Sequence, residues 1–129
     1  MATTLIAIAL STGCGSDEPS PSSSGNSDLA DLTVTVDSDG EGSATPKTMD
    51  LTCKAPTDSQ ACGAAAGISE ADLAPTKEGT ACTQVFGGPE TATIKGTIRG
   101  NPVDAQFSRS DGCEIERWAN VEPLLSQVQ

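Results

Sequence analysis

Residues 81–89 read Ala81-Cys82-Thr83-Gln84-Val85-Phe86-Gly87-Gly88-Pro89, and the reading of the fold turns on them. The stretch begins at a cysteine, ends at a Gly-Gly-Pro breaker, and separates a run with helical signals from a run with strand signals. It should therefore be a connection, yet Val85 and Phe86 are apolar where a loop is ordinarily polar. Two explanations stand open. Either the pair is held outward for a partner that covers it, or both side chains fold into the core.

Downstream, Thr91-Ala92-Thr93-Ile94-Lys95-Gly96-Thr97-Ile98 has strand character, with Ala92, Ile94 and Ile98 on one face. Arg99-Gly100-Asn101-Pro102 makes a tight turn, and Val103, Ala105 and Phe107 alternate on the way back, so residues 91–109 form a hairpin. Asp111-Gly112-Cys113 turns the chain. The segment from Glu114 to Leu125 closes it, with Ile115, Trp118, Val121, Leu124 and Leu125 available for packing.

Upstream, Lys77-Glu78-Gly79-Thr80 leads into the loop from a short helical turn at residues 69–74, capped by Ser69 and stopped by Pro75. Before it, Pro56-Thr57-Asp58 starts an alanine-rich helix over Gln60 to Ala66, with Thr57 or Asp58 as the cap and Gly67 as the stop. Earlier still, Leu32, Val34 and Val36 alternate with Thr33 and Thr35, and Met49, Leu51 and Cys53 alternate again. Between these strands, Asp37-Ser38-Asp39-Gly40-Glu41-Gly42 echoes the first half of a calcium loop. Thr48 stands where the closing glutamate belongs, so an acidic hairpin connection is the better reading. The order is strand, strand, two short helices, loop, hairpin and a C-terminal segment. That order describes an α+β domain over residues 30–129.

The first 29 residues have a different composition. Residues 1–14, MATTLIAIALSTGC, are apolar and end in Gly13-Cys14. They resemble the end of a bacterial lipoprotein signal, in which the cysteine receives the lipid and becomes the new N-terminus. Ser11 stands where that pattern prefers Leu, and no Lys or Arg precedes the apolar run. A cleaved secretory end without lipid is the alternative. Residues 15–29 are Ser, Pro, Gly and acids, too polar to offset their ordering entropy, and read as a disordered tether. On this reading the chain is exported, extracellular or anchored to the outer face of the cytoplasmic membrane. It would meet the membrane only through a lipid on Cys14.

Composition narrows the function. Eighteen acids against seven bases leave a formal charge of −11, which excludes the basic stripe that nucleic acid requires. There is no histidine, so neither Ser-His-Asp nor Cys-His catalysis is available, and His-containing metal sites are excluded. No spacing of Asp and Glu suggests a carboxylate pair with separated acidities. These features point away from an enzyme and from a bound cofactor. Phe86, Phe107 and Trp118 are the aromatics, so the core is thin and cross-links are expected to carry part of the stability.

Of five cysteines, Cys14 is accounted for by lipidation, leaving Cys53, Cys62, Cys82 and Cys113. Four cysteines in an exported domain suggest two disulfides, for which three pairings exist. Zinc is the rival reading, but no Cys-x-x-Cys pair is present.

With these residues in view, the chain resembles the bacterial subtilisin inhibitor-like proteins secreted by actinobacteria. The match is carried by Leu51-Thr52-Cys53, Ala61-Cys62 in the alanine-rich helix, Ala81-Cys82-Thr83-Gln84-Val85-Phe86, and Phe107-Ser108 followed by Gly112-Cys113-Glu114-Ile115. These run in the family's order over about residues 30–116. The resemblance implies an antiparallel sheet of about five strands with two short helices on one side. It also implies Cys53–Cys62 and Cys82–Cys113 bridges, and substrate-like inhibition of subtilisin-like serine proteases. Gln84 would then enter the protease's primary pocket, and Gln84–Val85 would be the reactive bond. Ala81, Cys82, Thr83, Phe86 and Gly87 complete the contact loop, with Phe86 replacing a usual tyrosine.

The chain departs from the family pattern at four places. Gly87-Gly88-Pro89 replaces an Asp-Pro and is one residue longer. The stretch between Cys53 and Cys62 is shorter. Arg109-Ser110 lengthens the route to Asp111, which takes the place of an asparagine that braces the loop. Trp118-Ala119-Asn120-Val121-Glu122-Pro123-Leu124-Leu125 replaces an aromatic C-terminal strand. The alternative function is a surface lipoprotein that keeps this fold as a binding or structural module without inhibiting. The family's pairing of two copies through the sheet leaves a homodimer open.

Overall fold

The computed structural model describes residues 28–128. The expectations for residues 1–14, with Cys14, and for the tether up to residue 27 fall outside the described residues. Strands β1 (Ala30–Asp37), β2 (Lys47–Cys53), β3 (Thr91–Ile98) and β4 (Asn101–Phe107) form one antiparallel sheet in the order β2-β1-β3-β4. Helices α1 (Gln60–Ala66), α2 (Glu70–Leu73) and α3 (Gly112–Leu125) complete the fold. The sheet has four strands where the resemblance implied about five, and three helices where it implied two. Both differences have one cause. The last segment of the chain, 14 residues long, is helical and supplies no strand.

The strands bury one face, as period-2 alternation requires. Leu32 opposes Leu51, Val34 lies between Met49 and Ile94, and Ile94 opposes Ala105, so the rows of apolar side chains run straight across the sheet. Ala30, Leu32, Val34, Cys53, Ile94 and Phe107 are each at most 2% exposed. The other face is solvated and closed by polar pairs, among them Thr33 Oγ1 donating to Asp50 Oδ1 at 2.8 Å. Gly96 is exposed, in register with Leu32 and Val103, and a Cβ there would overlap the Asp31 carbonyl oxygen. Its φ of 134° is a conformation that only glycine adopts without strain.

The hairpin turn is Arg99-Gly100, with Ile98 already paired to Asn101. Arg99 holds a positive φ of 50°, unusual for a residue with a side chain. Its guanidinium donates to the carbonyls of Ile68, at 3.2 Å, and Ala66, closing the C-terminal end of α1. Pro102 costs the sheet little because β4 is an edge strand.

Ser59, and not Thr57 or Asp58, caps α1, accepting from the Cys62 N–H at 3.1 Å. Asp58 is committed backwards: its carboxylate accepts from the N–H groups of Lys54 and Ala55 at 2.7 and 2.9 Å. Ser69 and Asp72 form a reciprocal capping box on α2. On the apolar side of the sheet α1 packs against β1 and β2 and α3 against β1, β4 and α1, while α2 packs against α3. Ala61, Cys62, Ala65, Val121, Leu124 and Leu125 are the buried contributions of α1 and α3. Cys53 is bonded to Cys62 and Cys82 to Cys113, one of the three pairings available. Two disulfides are compatible with an exported domain. Among the described residues no helix is long and apolar enough to cross a membrane.

Candidate functional site

Residues 74–90 carry neither helix nor strand, and the stretch from Ala81 to Pro89 is their outer part. A connection this long in a small domain is either unanchored or built for a purpose. This one is anchored at nearly every step, and most anchors lie on α3. Arg117 Nε donates to the Ala74 carbonyl at 2.8 Å, and Thr76 Oγ1 to Glu114 Oε1 at 2.9 Å. Arg117 also pairs with Glu114 at 2.7 Å and lies 4.8 Å from the centroid of the Phe107 ring, which ties the helix to the sheet beneath. A turn at Lys77–Thr80, through Gly79, then carries the chain up to Cys82.

From Cys82 the chain is fixed on both sides of a short exposed span. The Cys82–Cys113 bridge holds the incoming side. One residue on, the Thr83 carbonyl accepts from the Gly112 N–H at 2.9 Å. Gly112 has no side chain because the Thr83 hydroxyl occupies the place of its Cβ. On the outgoing side, the Gly87 N–H donates to the Arg109 carbonyl at 2.7 Å. Gly87 rests on Ile115, whose side-chain carbons would be 2.9 Å from any Cβ. Beyond it, Gly40 of the β1–β2 connection lies against the Pro89 carbonyl.

Gln84, Val85 and Phe86 lie between the two anchors and face solvent. Val85 is 57% exposed and Phe86 68%, and they are the exposed large apolar residues of the described chain. The choice left open by the sequence is thereby decided: neither side chain enters the core. Ala81 and Thr83 are also exposed, while Cys82 and Gly87 are half-buried as anchors. Within the continuous stretch 81–87, Ala81, Thr83, Gln84, Val85 and Phe86 are thus exposed.

The brace differs from the one implied. Asp111 is the N-cap of α3, its Oδ1 accepting from the Glu114 N–H at 3.0 Å. Its effect on the loop passes through the helix it starts. Its carboxylate also lies within 4.8 Å of the sulfurs of Cys82 and Cys113, but with both sulfurs bonded to each other no thiolate remains to hold a metal. The carboxylates of Asp37 and Asp39 are likewise used locally. Asp37 accepts from the N–H groups of Asp39 and Gly40, and Asp39 from that of Glu41 at 3.2 Å, as an acidic hairpin connection would.

Sequence reasoning missed Gly112, Ile115 and Arg109, which form the floor of the loop. The signal was present. Asp111-x-x-Glu114 is a helix-start pattern, and Ile115, Trp118, Val121 and Leu124 recur every three residues. Pro123, which removes one bond of the helical ladder, masked it.

No family model, no curated protein and no solved structure matches this chain.

Proposed function

We propose that this chain inhibits subtilisin-like serine proteases by presenting residues 81–87 as a substrate-like segment, with Gln84 in the primary pocket and Gln84–Val85 across the catalytic serine. The supporting observation is the solvent-facing span Gln84-Val85-Phe86, which exposes two large apolar side chains yet is pinned at Cys82, Thr83 and Gly87. A protease binds an extended segment, and a flexible one is cut and released. Fixing the segment beforehand lowers the entropic cost of binding. After a cut, both new ends would stay attached to α3 and the β4 exit, so religation competes with release.

A polar, unbranched, uncharged residue at position 84 suits the broad pocket of a subtilisin. It suits trypsin poorly, whose buried carboxylate would be left without a cation. The interface would be of ordinary size, about 1,600 Å² in total, with most of its energy from a few loop residues. The protein itself performs no chemistry on this reading.

Titration of the purified chain against subtilisin tests the proposal. Stoichiometric loss of activity is expected, with slow cleavage on long incubation at low pH mapping first to Gln84–Val85. Undiminished protease activity, or a first cut at Lys77–Glu78, overturns inhibition and leaves the loop as a binding surface for a partner that is not a protease.

A further inference from the structure

Two stretches far apart in the sequence meet in the fold. Gly87-Gly88-Pro89 follows Phe86, and Arg109-Ser110 precedes Asp111. The Gly87 N–H donates to the Arg109 carbonyl at 2.7 Å, and a Cβ on Gly87 would stand 3.3 Å from the Arg109 Cβ. The Arg109 guanidinium turns back to Glu90, with Nη1 at 3.3 Å from Oε1, and lies 6.0 Å from the centroid of the Trp118 ring. We propose that Arg109 is a positioning residue of the loop, its carbonyl and guanidinium together clamping Gly87 and Glu90 against α3.

The need for a clamp follows from the chain itself. Consecutive glycines have the greatest backbone freedom to lose, so Gly87-Gly88 is where the outgoing side of the loop would swing free. The disulfide restrains only the incoming side. A single hydrogen bond at Gly87 would open readily, and Arg109 adds a second attachment three residues further on. The Glu90 and Arg109 side chains are 32% and 33% exposed, so their ion pair alone is modest. Its effect comes from acting beside the Gly87 bond and the Ile115 floor. Arginine fits the position because a planar guanidinium can meet a carboxylate and lie near an indole at once, which an ammonium does less well.

The consequence for a protease rests on the inhibitor reading; the clamp does not. Two measurements on the full chain therefore separate them. In amide hydrogen exchange followed by NMR, Arg109→Ala should speed exchange at Gly87 about five- to tenfold while β3 and β4 amides keep their rates. Arg109→Lys should fall between Arg109→Ala and the parent, and Glu90→Gln should behave like Arg109→Ala. Unchanged exchange at Gly87 overturns the proposal. So does an equal rise across β3 and β4, which would make Arg109 a general stabiliser. In incubation with equimolar subtilisin, Arg109→Ala should inhibit at first and then lose inhibition about five- to tenfold sooner than the parent, with the cut at Gln84–Val85. Equal persistence of the two overturns the clamp. A parent chain that never inhibits overturns the inhibitor reading, and the exchange rates then decide on the clamp alone.

Discussion

Replacing Cys82 and Cys113 together by alanine removes the covalent attachment between the loop and α3. The bridge spans 31 residues of sequence. In the chain-entropy treatment, a loop of that length restrains the unfolded chain by about 12 cal/mol/K, or about 3.7 kcal/mol at 25 °C. Both cysteines are half-buried and outside the core cluster, so the loss of their sulfurs adds little. For a domain of roughly a hundred residues that energy corresponds to a fall in melting temperature of about 15–30 °C. The Cys53–Cys62 bridge spans 9 residues, for which the same treatment gives about 2.6 kcal/mol. Cys53 and Cys62 are 0% and 1% exposed, so alanines there also leave a cavity, and part of that cost is packing. Urea unfolding without reductant reads both terms. The Cys82→Ala/Cys113→Ala chain should show a lower midpoint and a steeper dependence on urea, because the unfolded chain gains exposed surface once the link is gone. A loss under about 1 kcal/mol, with the steepness unchanged, would refute the chain-entropy reasoning. In the same variant the Thr83–Gly112 hydrogen bond is left as the nearest tie of the incoming side to α3, and the loop should be cut rapidly by subtilisin.

Gly96→Ala should cost about 3 kcal/mol or more, since the new methyl overlaps the Asp31 carbonyl at a φ that alanine avoids; thermal melting with little change would show that β1 and β3 can part there. Asp111→Ala removes the cap of α3 and should cost about 1 kcal/mol in urea unfolding, together with faster exchange at Gly112. Hydrogen bonds from the Ala55 and Lys54 amides lower the pKa of Asp58, and those from Ser69 lower that of Asp72, each below its unfolded value of 3.8. A depressed folded-state value means that the stability from these groups is complete above the unfolded value. It is lost as pH falls through the folded ones, so melting temperature should drop below about pH 4, less so in Asp58→Asn. On the inhibitor reading, Gln84→Lys should strengthen trypsin binding about a hundredfold or more without altering the melt, and Val85→Pro should abolish inhibition of subtilisin while the domain stays folded.

The sequence by itself determined the elements whose causes are local. Alternation at Leu32, Val34, Ile94, Val103, Ala105 and Phe107 names the buried face of the sheet, because side chains two residues apart on a strand share a side whatever lies beyond it. Ser69 marks a helix start, and Arg99-Gly100-Asn101-Pro102 marks a hairpin, although Asn101 and Pro102 already belong to β4. Where two local signals competed, the boundary slipped by one: Ser59 caps α1 because Asp58 turns to the amides behind it. Tertiary structure alone decided the rest. Which of three pairings the cysteines adopt depends on distances across 31 residues of chain. Whether Val85 and Phe86 turn outward depends on a core already filled by Leu32, Ile94, Phe107, Val121 and Leu124. The loop's floor is built from Gly112, Ile115 and Arg109, far along the sequence from the loop they support. No pattern within the loop could name them, because the contact exists only after the sheet and α3 have packed together.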